Sequence, residues 1–128
     1  MVAILDTNIV VDLLRNQREA PVKILDYLEI FIPITVVGEL LFGTAISAKP
    51  DQNKKLVLAF LAKCKLIDQN IQVAEAYVLV RQHLQRKGMP IPENDVWIAA
   101  VALAIDVKLI TRDHHFAHID LIKVEFWK

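Results

Sequence analysis

The stretch Val2-Ala3-Ile4-Leu5-Asp6-Thr7-Asn8 decides the fold class of this chain. Its first four residues are apolar without alternation, which is typical of a parallel strand buried on both faces. Thr7 or Asn8 can cap a helix, which we expect to run to about Arg15. A buried strand that leads directly into a helix indicates an α/β domain.

The rest of the chain continues this alternation of strands and helices. Further apolar strands are predicted at residues 30–34, 66–67, 107–110 and within 122–126. A long amphipathic helix is predicted between a capping residue, Asn70, and a terminating glycine, Gly88. We therefore predict one three-layer domain over residues 1–128, with a central, mostly parallel sheet of about five strands flanked by helices.

A second helix is predicted to begin near Pro21, because proline suits the first turn of a helix. Val22, Leu25 and Leu28 follow at spacings that place them on one helical face. We expect that face to pack against the rest of the domain.

Composition excludes several classes of protein. Apolar residues make up 55% of the 128 residues and charged residues 23%, which excludes a disordered or low-complexity chain. A single cysteine, Cys64, cannot form an intrachain disulfide. The longest apolar run, Val96–Ile105, is shorter than the roughly 18 residues of a membrane span. We expect a cytoplasmic protein without membrane contact.

The charge balance is neutral, with 15 basic and 15 acidic residues. The total charge therefore does not indicate a nucleic-acid-binding protein. However, acidic residues gathered around a metal ion would hide a basic surface elsewhere.

Four acidic residues are expected to meet at one edge of the sheet. Asp6 ends the first strand, and Asp113 lies just past the fourth. Glu39 lies one helical turn beyond the second strand if Thr35 ends that strand, and Asp95 begins the apolar helix that precedes the fourth. Ligands of open α/β sheets bind outside the carboxyl ends of the strands.

Clustered carboxylates repel one another unless they take up protons or a cation. Mg²⁺ favours oxygen ligands, and Mg²⁺ or Mn²⁺ held in this way can activate water against a phosphodiester. Each acid alone has an ordinary explanation as a helix cap, a solvated helix residue or a turn former. The joint pattern is what predicts a metal site.

The pattern resembles the PIN-domain nuclease family, especially its small toxins of the VapC type, and the resemblance covers nearly the whole chain. The matching stretches are Val2–Asn8, Thr35 with Glu39-Leu40 and Gly43, Asp95 with Ile98-Ala99-Ala100, and Thr111-Arg112-Asp113 with Phe116. The resemblance implies a central parallel sheet flanked by helices.

The resemblance also implies the residues of the site. Asp6 and Asp95 would be the central ligands of Mg²⁺ or Mn²⁺, and Glu39 and Asp113 would complete the acidic cluster. All four would be catalytic in a metal-dependent endoribonuclease that hydrolyses RNA by metal-activated water.

Four further residues are candidates for supporting the site or contacting the substrate. Thr7, Asn8 and Thr111 match polar supporting positions of the family. Arg112, next to Asp113, is the basic residue best placed in the sequence to contact the scissile phosphate.

The resemblance further implies partners. The family's toxins are usually homodimers that are silenced by a small antitoxin, and their substrates are RNAs. We therefore expect an RNA substrate, a cognate antitoxin and a homodimer. Whether the role is growth arrest or RNA processing stays open.

Two other functions stay open on the residues alone. The first is a PIN-like module that binds RNA or protein without cutting, although the four acids speak against it. The second is a receiver-type phospho-acceptor domain with Asp68 as acceptor, although a receiver needs paired acids after its first strand and a Lys-Pro after its last strand, and neither is present there. The roles of Glu93, His114 and His115 also stay open.

Overall fold

The computed structural model describes residues 1–128 and places five strands in one sheet. The strands are β1 (Val2–Leu5), β2 (Glu29–Pro33), β3 (Lys65–Ile67), β4 (Leu109–Thr111) and β5 (Val124–Phe126). Their order is β3-β2-β1-β4-β5, and every neighbouring pair is parallel. The predicted α/β architecture is confirmed.

Six α-helices flank this sheet. They are α1 (Thr7–Leu14), α2 (Ala20–Lys23), α3 (Ile34–Ala45), α4 (Pro50–Leu61), α5 (Ile71–Lys87) and α6 (Glu93–Ile105). Two 3₁₀ turns cover Ile24–Asp26 and His114–His118. None of the helices has the length and hydrophobicity to cross a lipid bilayer.

The ends of α5 are those that the sequence predicts. The Asn70 side chain accepts a hydrogen bond of 3.0 Å from the backbone N–H of Val73, which satisfies one free donor of the first turn. Gly88 adopts a left-handed backbone with φ of 64°, a conformation that glycine adopts without steric cost.

The core lies around β1, β4 and α6. Ala3, Ile4 and Leu5 are fully buried, as expected for a strand covered on both faces. Val96 to Ala102 of α6 are buried except for the half-buried Trp97, so this helix is apolar nearly all round because it is central. Burying one such aliphatic side chain stabilises the fold by about 1.5–3 kcal/mol.

The predicted face of the second helix is wrong. Val22, Leu25 and Leu28 are 71%, 78% and 93% exposed. The helix lasts only one turn and then tightens into 3₁₀ geometry, and Ala20, Ile24 and Tyr27 provide the packed side instead.

The sheet order creates a switch point between β1 and β4. The chain leaves β1 to form β2 on one side, whereas it leaves β4 to form β5 on the other. Because the two connections diverge, a crevice opens between the carboxyl ends of β1 and β4. The fold thus provides a binding position beside residues 6 and 113.

Candidate active site

Four acidic residues surround this switch point. Asp6 follows β1 and caps α1, and Asp113 follows β4 and caps the 3₁₀ turn at residues 114–118. Glu39 lies within α3, and Asp95 lies in the first turn of α6. The structure therefore brings the predicted set together from four separate parts of the chain.

Three helix starts differ from the sequence prediction. Asp6 is the N-cap of α1, so neither Thr7 nor Asn8 caps that helix. β2 ends at Pro33, so Thr35 lies in the first turn of α3 and does not end the strand. Pro92 is the N-cap of α6, so the Asp95 carboxylate does not cap the helix. The Asp95 side chain is instead held at the edge of the cluster with His115 as its polar partner.

The Asp6 carboxylate is the centre of a hydrogen-bond network. Asp6 is only 5% exposed, and its Oδ1 accepts a hydrogen bond of 2.8 Å from the Thr7 N–H. Its Oδ2 accepts one of 2.6 Å from the Thr111 hydroxyl and one of 3.3 Å from the Asn8 amide. Three donors, two in the first turn of α1 and one at the end of β4, fix the direction of this carboxylate.

Thr7 and Asn8 connect Asp6 to the neighbouring elements. The Thr7 hydroxyl donates a hydrogen bond of 2.8 Å to Glu39 Oε1, which orients the α3 carboxylate towards the switch point. The Asn8 side-chain oxygen accepts a hydrogen bond of 3.1 Å from the Arg112 N–H. Residues directly after β1 therefore hold both α3 and the β4 loop.

Thr111 joins the two strands that border the crevice. It is fully buried, and its hydroxyl accepts a hydrogen bond of 2.9 Å from the Asp113 N–H while it donates to Asp6. One buried hydroxyl thus fixes the backbone of one acid and the carboxylate of another. The structure places Thr7, Asn8 and Thr111 as supports of the acidic residues.

The Arg112 side chain forms an ion pair that the sequence does not predict. Its guanidinium donates to both oxygens of Asp12, at 2.8 and 3.2 Å. Asp12 is 1% exposed and also accepts a hydrogen bond of 3.0 Å from Arg18. Because Nε and Nη2 of its guanidinium pair with Asp12, Arg112 anchors the loop that carries Asp113, and its contact with the scissile phosphate stays a prediction.

Removing this anchor should destabilise the protein. We expect Asp12→Ala to lower the free energy of unfolding by about 2–3 kcal/mol, because it removes the one carboxylate that pairs both arginines. Urea unfolding measures the change. Asp26→Ala, at an exposed aspartate of the 3₁₀ turn, is the control and should stay within about 0.5 kcal/mol of wild type. An equally small change in Asp12→Ala would show that the pair does not hold the loop.

Burial and mutual repulsion raise the pKa of two of the acids. Burial raises the pKa of Asp6, hydrogen bonds from Thr111 and Thr7 oppose this, and the charges of Glu39 and Asp113 add to the rise. The pKa of Asp95 is raised to about 6, first by burial and then by the charges of Asp6 and Asp113, with a smaller rise from Glu39; a hydrogen bond with His115 opposes it. All four carboxylates are therefore electrostatically coupled.

This donor set fits a hard divalent cation. The oxygens of four carboxylates are the ligands that Mg²⁺ and Mn²⁺ favour, and a cation would stabilise the charged forms that burial and mutual repulsion disfavour. Candidate ligand atoms of Asp95, Asp113 and His115 all lie within 4.8 Å of one another. Asp6 and Asp95 are the two acids whose pKa is raised by burial, and they are the candidates for direct ligands.

Glu93 does not join the acidic cluster. Its carboxylate accepts hydrogen bonds from the Tyr77 hydroxyl and, at 3.0 Å, from Arg81 on α5. The sequence places it only two residues before Asp95, but the helix directs the two carboxylates to different neighbours.

The adjacent histidines also have different surroundings. The His114 ring stacks on Phe126 with ring centroids 4.9 Å apart. The His115 ring lies beside Asp113 and Asp95.

The fold and the site together define the class of this chain. It is an α/β domain whose parallel sheet carries a group of interacting carboxylates, suited to a divalent ion, at its switch point. The family model of the PIN domain matches residues 3–122, and the chain belongs to the PIN domain family. The chain is 31% identical over 132 residues to a protein named ribonuclease VapC2 from Rickettsia felis, covering 99% of this chain and 98% of that protein.

Other relatives agree with this family. The chain is 30% identical over 90 residues to the tRNA(fMet)-specific endonuclease VapC of Salmonella typhimurium, covering 70% of this chain and 68% of that protein. Its fold matches the crystal structure of VapBC2 from Rickettsia felis bound to a promoter DNA fragment with a TM-score of 0.91, at 29% identity and full coverage of both chains. DNA-bound VapBC from Salmonella typhimurium matches with a TM-score of 0.91 at 26% identity, covering 100% of this chain and 99% of that one.

Proposed function

We propose that this chain is a divalent-metal-dependent endoribonuclease and the toxin of a toxin–antitoxin pair. The observation that carries the proposal is the convergence of Asp6, Glu39, Asp95 and Asp113 at the switch point of a PIN-domain fold. Membership of the PIN domain family and relatives named ribonuclease or endonuclease support it.

The four acids would have two different roles in binding the ion. Asp6 and Asp95 would bind it directly, and Glu39 and Asp113 would complete the cluster and hold water near it. A bound Mg²⁺ or Mn²⁺ supplies Lewis acidity and activates water for attack on the phosphodiester. The carboxylates of the cluster are the groups available to accept the proton that this water loses.

The surrounding residues would keep the acids in place during the reaction. Thr7 holds Glu39, and Thr111 holds both Asp6 and the backbone of Asp113. Asn8 holds the backbone of Arg112, whose guanidinium is anchored on Asp12. These residues act through the acids and are positioning residues.

The proposed substrate is RNA, and tRNA(fMet) is the first RNA to test because one relative is named for its cleavage. The proposed protein partner is an antitoxin, because the solved relatives are VapBC complexes. We place the activity in the cytoplasm, where such RNA is found.

A homodimer is also part of the proposal. Ile71, Val78 and Leu79 on α5 are 74%, 51% and 52% exposed. Their spacing of seven and eight residues puts them on one face of the helix, and a second copy of the chain would cover that apolar face.

The two alternative functions have less support. Asp68, the candidate acceptor of a receiver domain, follows the edge strand β3 and lies two strands away from β1. A PIN-like module that only binds would not need four coupled carboxylates at one point. Neither alternative has a specific observation in its favour.

Induced expression in a bacterial host should stop growth, and Glu39→Ala should abolish this arrest. Glu39 provides one of the four carboxylates, and its loss weakens ion binding and water positioning. Glu19→Ala, at an exposed glutamate that precedes α2 and lies outside both the acidic cluster and the α5 face, is the control and should still arrest growth. Colony counts and optical density, with protein levels checked by immunoblot, measure the effect. Normal growth at a verified level of the wild type would favour an RNA-processing role over a toxin.

A further inference from the structure

His115 lies against the acidic cluster in a position suited to a ligand. Its Nδ1 is 3.1 Å from Asp113 Oδ1 and 3.5 Å from Asp95 Oδ2. The donor atoms of these three residues all lie within 4.8 Å of one another. Neighbouring ligand atoms of an octahedral ion with bonds of about 2.1 Å are about 3 Å apart, so a shared ion needs little movement of these side chains.

Contacts of His115 and of its two neighbours in the chain hold the backbone at this position. The His115 N–H donates a hydrogen bond of 3.0 Å to Asp113 Oδ1, which ties the histidine to the acid it faces. Phe116, the next residue, is fully buried and anchors the turn in the core. His114, the preceding residue, is held by stacking on Phe126. Of the two adjacent histidines, only His115 faces the acids.

We propose that His115 Nδ1 is a further ligand of the metal ion and that this nitrogen favours Mn²⁺ over Mg²⁺. The proposal rests on the metal-dependent function proposed above. Imidazole nitrogen suits first-row transition ions, whereas Mg²⁺ favours oxygen donors. As a ligand, Nδ1 binds through its lone pair, so the proton through which it hydrogen-bonds to Asp95 is released when the ion binds, and the ring proton is then on Nε2. The four acids alone would give an all-oxygen site; His115 makes it a mixed site.

A competing role makes the opposite prediction for binding. His115 could neutralise Asp95 and Asp113 only until an ion arrives and then leave the site. Removing the imidazole would then leave Mn²⁺ binding unchanged or tighter. If His115 is a ligand, removal of its imidazole must weaken Mn²⁺ binding.

The test is electron spin-echo envelope modulation of Mn²⁺ bound to the full-length protein, which detects a directly bound nitrogen. We expect histidine nitrogen modulation in the wild type, its loss in His115→Ala, and its retention in the matched control His114→Ala. Titration calorimetry should show Mn²⁺ affinity lowered by roughly tenfold or more in His115→Ala, with a smaller loss for Mg²⁺. The His115 side chain is 53% exposed, so the variant should fold, and circular dichroism checks this.

Each other outcome is decisive. Mn²⁺ binding without nitrogen modulation in the wild type would overturn the role of His115 and leave the metal-dependent function standing. Modulation that persists in His115→Ala, or Mn²⁺ binding that becomes tighter, would also overturn it. A wild type that binds neither Mn²⁺ nor Mg²⁺ would overturn the proposed function together with this inference.

Discussion

Asp95→Asn is expected to lower metal-dependent RNA cleavage by at least about 100-fold while the fold stays intact. Residues outside the immediate ligand set of a metal typically contribute about 10- to 100-fold to affinity or activity, and a direct ligand should contribute more. Asparagine keeps the shape of aspartate but removes the charge that holds the ion. The rate of cleavage, followed on gels at a fixed Mg²⁺ concentration that fully activates the wild type, measures the loss.

Two features of α6 make this substitution a clean test. Pro92 occupies the N-cap position and no side chain caps the helix, so the helix start does not depend on a hydrogen bond from the Asp95 carboxylate. Glu93→Gln makes the same chemical change two residues away, at a carboxylate that pairs with Tyr77 and Arg81 instead of the cluster. We expect Glu93→Gln to cleave RNA at close to the wild-type rate. Full activity in Asp95→Asn would contradict the role given to Asp95.

The second large effect is on stability without divalent ions. At pH 7.5 with a chelator, Asp95→Asn should raise the free energy of unfolding by up to about 3 kcal/mol. The pKa of Asp95 is raised to about 6 in the folded protein, whereas in the unfolded chain it is near its usual value of 3.8. The ionised carboxylate therefore opposes folding, and each pKa unit corresponds to about 1.4 kcal/mol.

The raised pKa also fixes the sign of the pH dependence. Between about pH 4 and pH 6 the folded protein holds a proton on Asp95 that the unfolded chain has lost. The contribution of Asp95 to stability therefore falls as the pH rises through this window and stays low above it. Melting curves at pH 4.5 and 7.5 should show a smaller difference in Asp95→Asn than in the wild type.

Asp6→Asn should behave differently, because the Asp6 carboxylate accepts hydrogen bonds from three donors. An amide group in its place turns a donor towards Thr7 N–H or towards Thr111 and Asn8, and an unpaired buried donor costs about 1–3 kcal/mol. This cost offsets the relief of repulsion, so we expect little or no gain in stability. From the sequence alone, repulsion among the four acids predicts a gain in stability for Asp6→Asn. The structure changes this prediction because it shows the hydrogen bonds that Asp6 accepts.

Added Mn²⁺ provides the companion measurement. It should stabilise the wild type more than Asp95→Asn, since a ligand that binds only the native state adds to its stability. Glu93→Gln should respond like the wild type. With a chelator present, an Asp95→Asn protein that folds normally but melts at or below the wild-type temperature would contradict the claim that the ionised Asp95 carboxylate opposes folding.

The sequence predicts the position of the acids because each lies at a marked chain position. Asp6 follows an apolar strand, and Asp113 follows another, so topology alone brings them to one edge. Glu39 and Asp95 are harder, since their helices begin one or two residues away from where the pattern suggests. The predicted position of these two carboxylates survives that error, because a carboxylate on the first two turns of such a helix still reaches the edge of the sheet.

Other features could not be predicted because they depend on contacts between distant residues. Asp12 interrupts an apolar stretch of α1, which signals a buried partner, but the sequence does not identify Arg112 as that partner. Val22, Leu25 and Leu28 share a spacing that suits a buried face, yet the neighbouring stripe packs inward. Two adjacent histidines look alike in sequence, and only the packing of Phe126 and Phe116 separates their directions.

The central claim is hydrolysis of RNA by water that a metal ion activates, and the ends of the cleaved RNA report on it directly. Attack by water in line with the 3′ oxygen breaks the P–O3′ bond and leaves a 5′-phosphate and a 3′-hydroxyl. Attack by the 2′-hydroxyl of the RNA breaks the P–O5′ bond instead and leaves a 2′,3′-cyclic phosphate and a 5′-hydroxyl. The measurement is mass spectrometry of the products from tRNA(fMet) and total bacterial RNA, with Mg²⁺ or Mn²⁺ and again with a chelator. We expect 5′-phosphate ends with either ion and no cleavage with the chelator. A cyclic phosphate, or cleavage that survives chelation, would contradict the metal–water mechanism and the roles of Asp6, Glu39, Asp95 and Asp113.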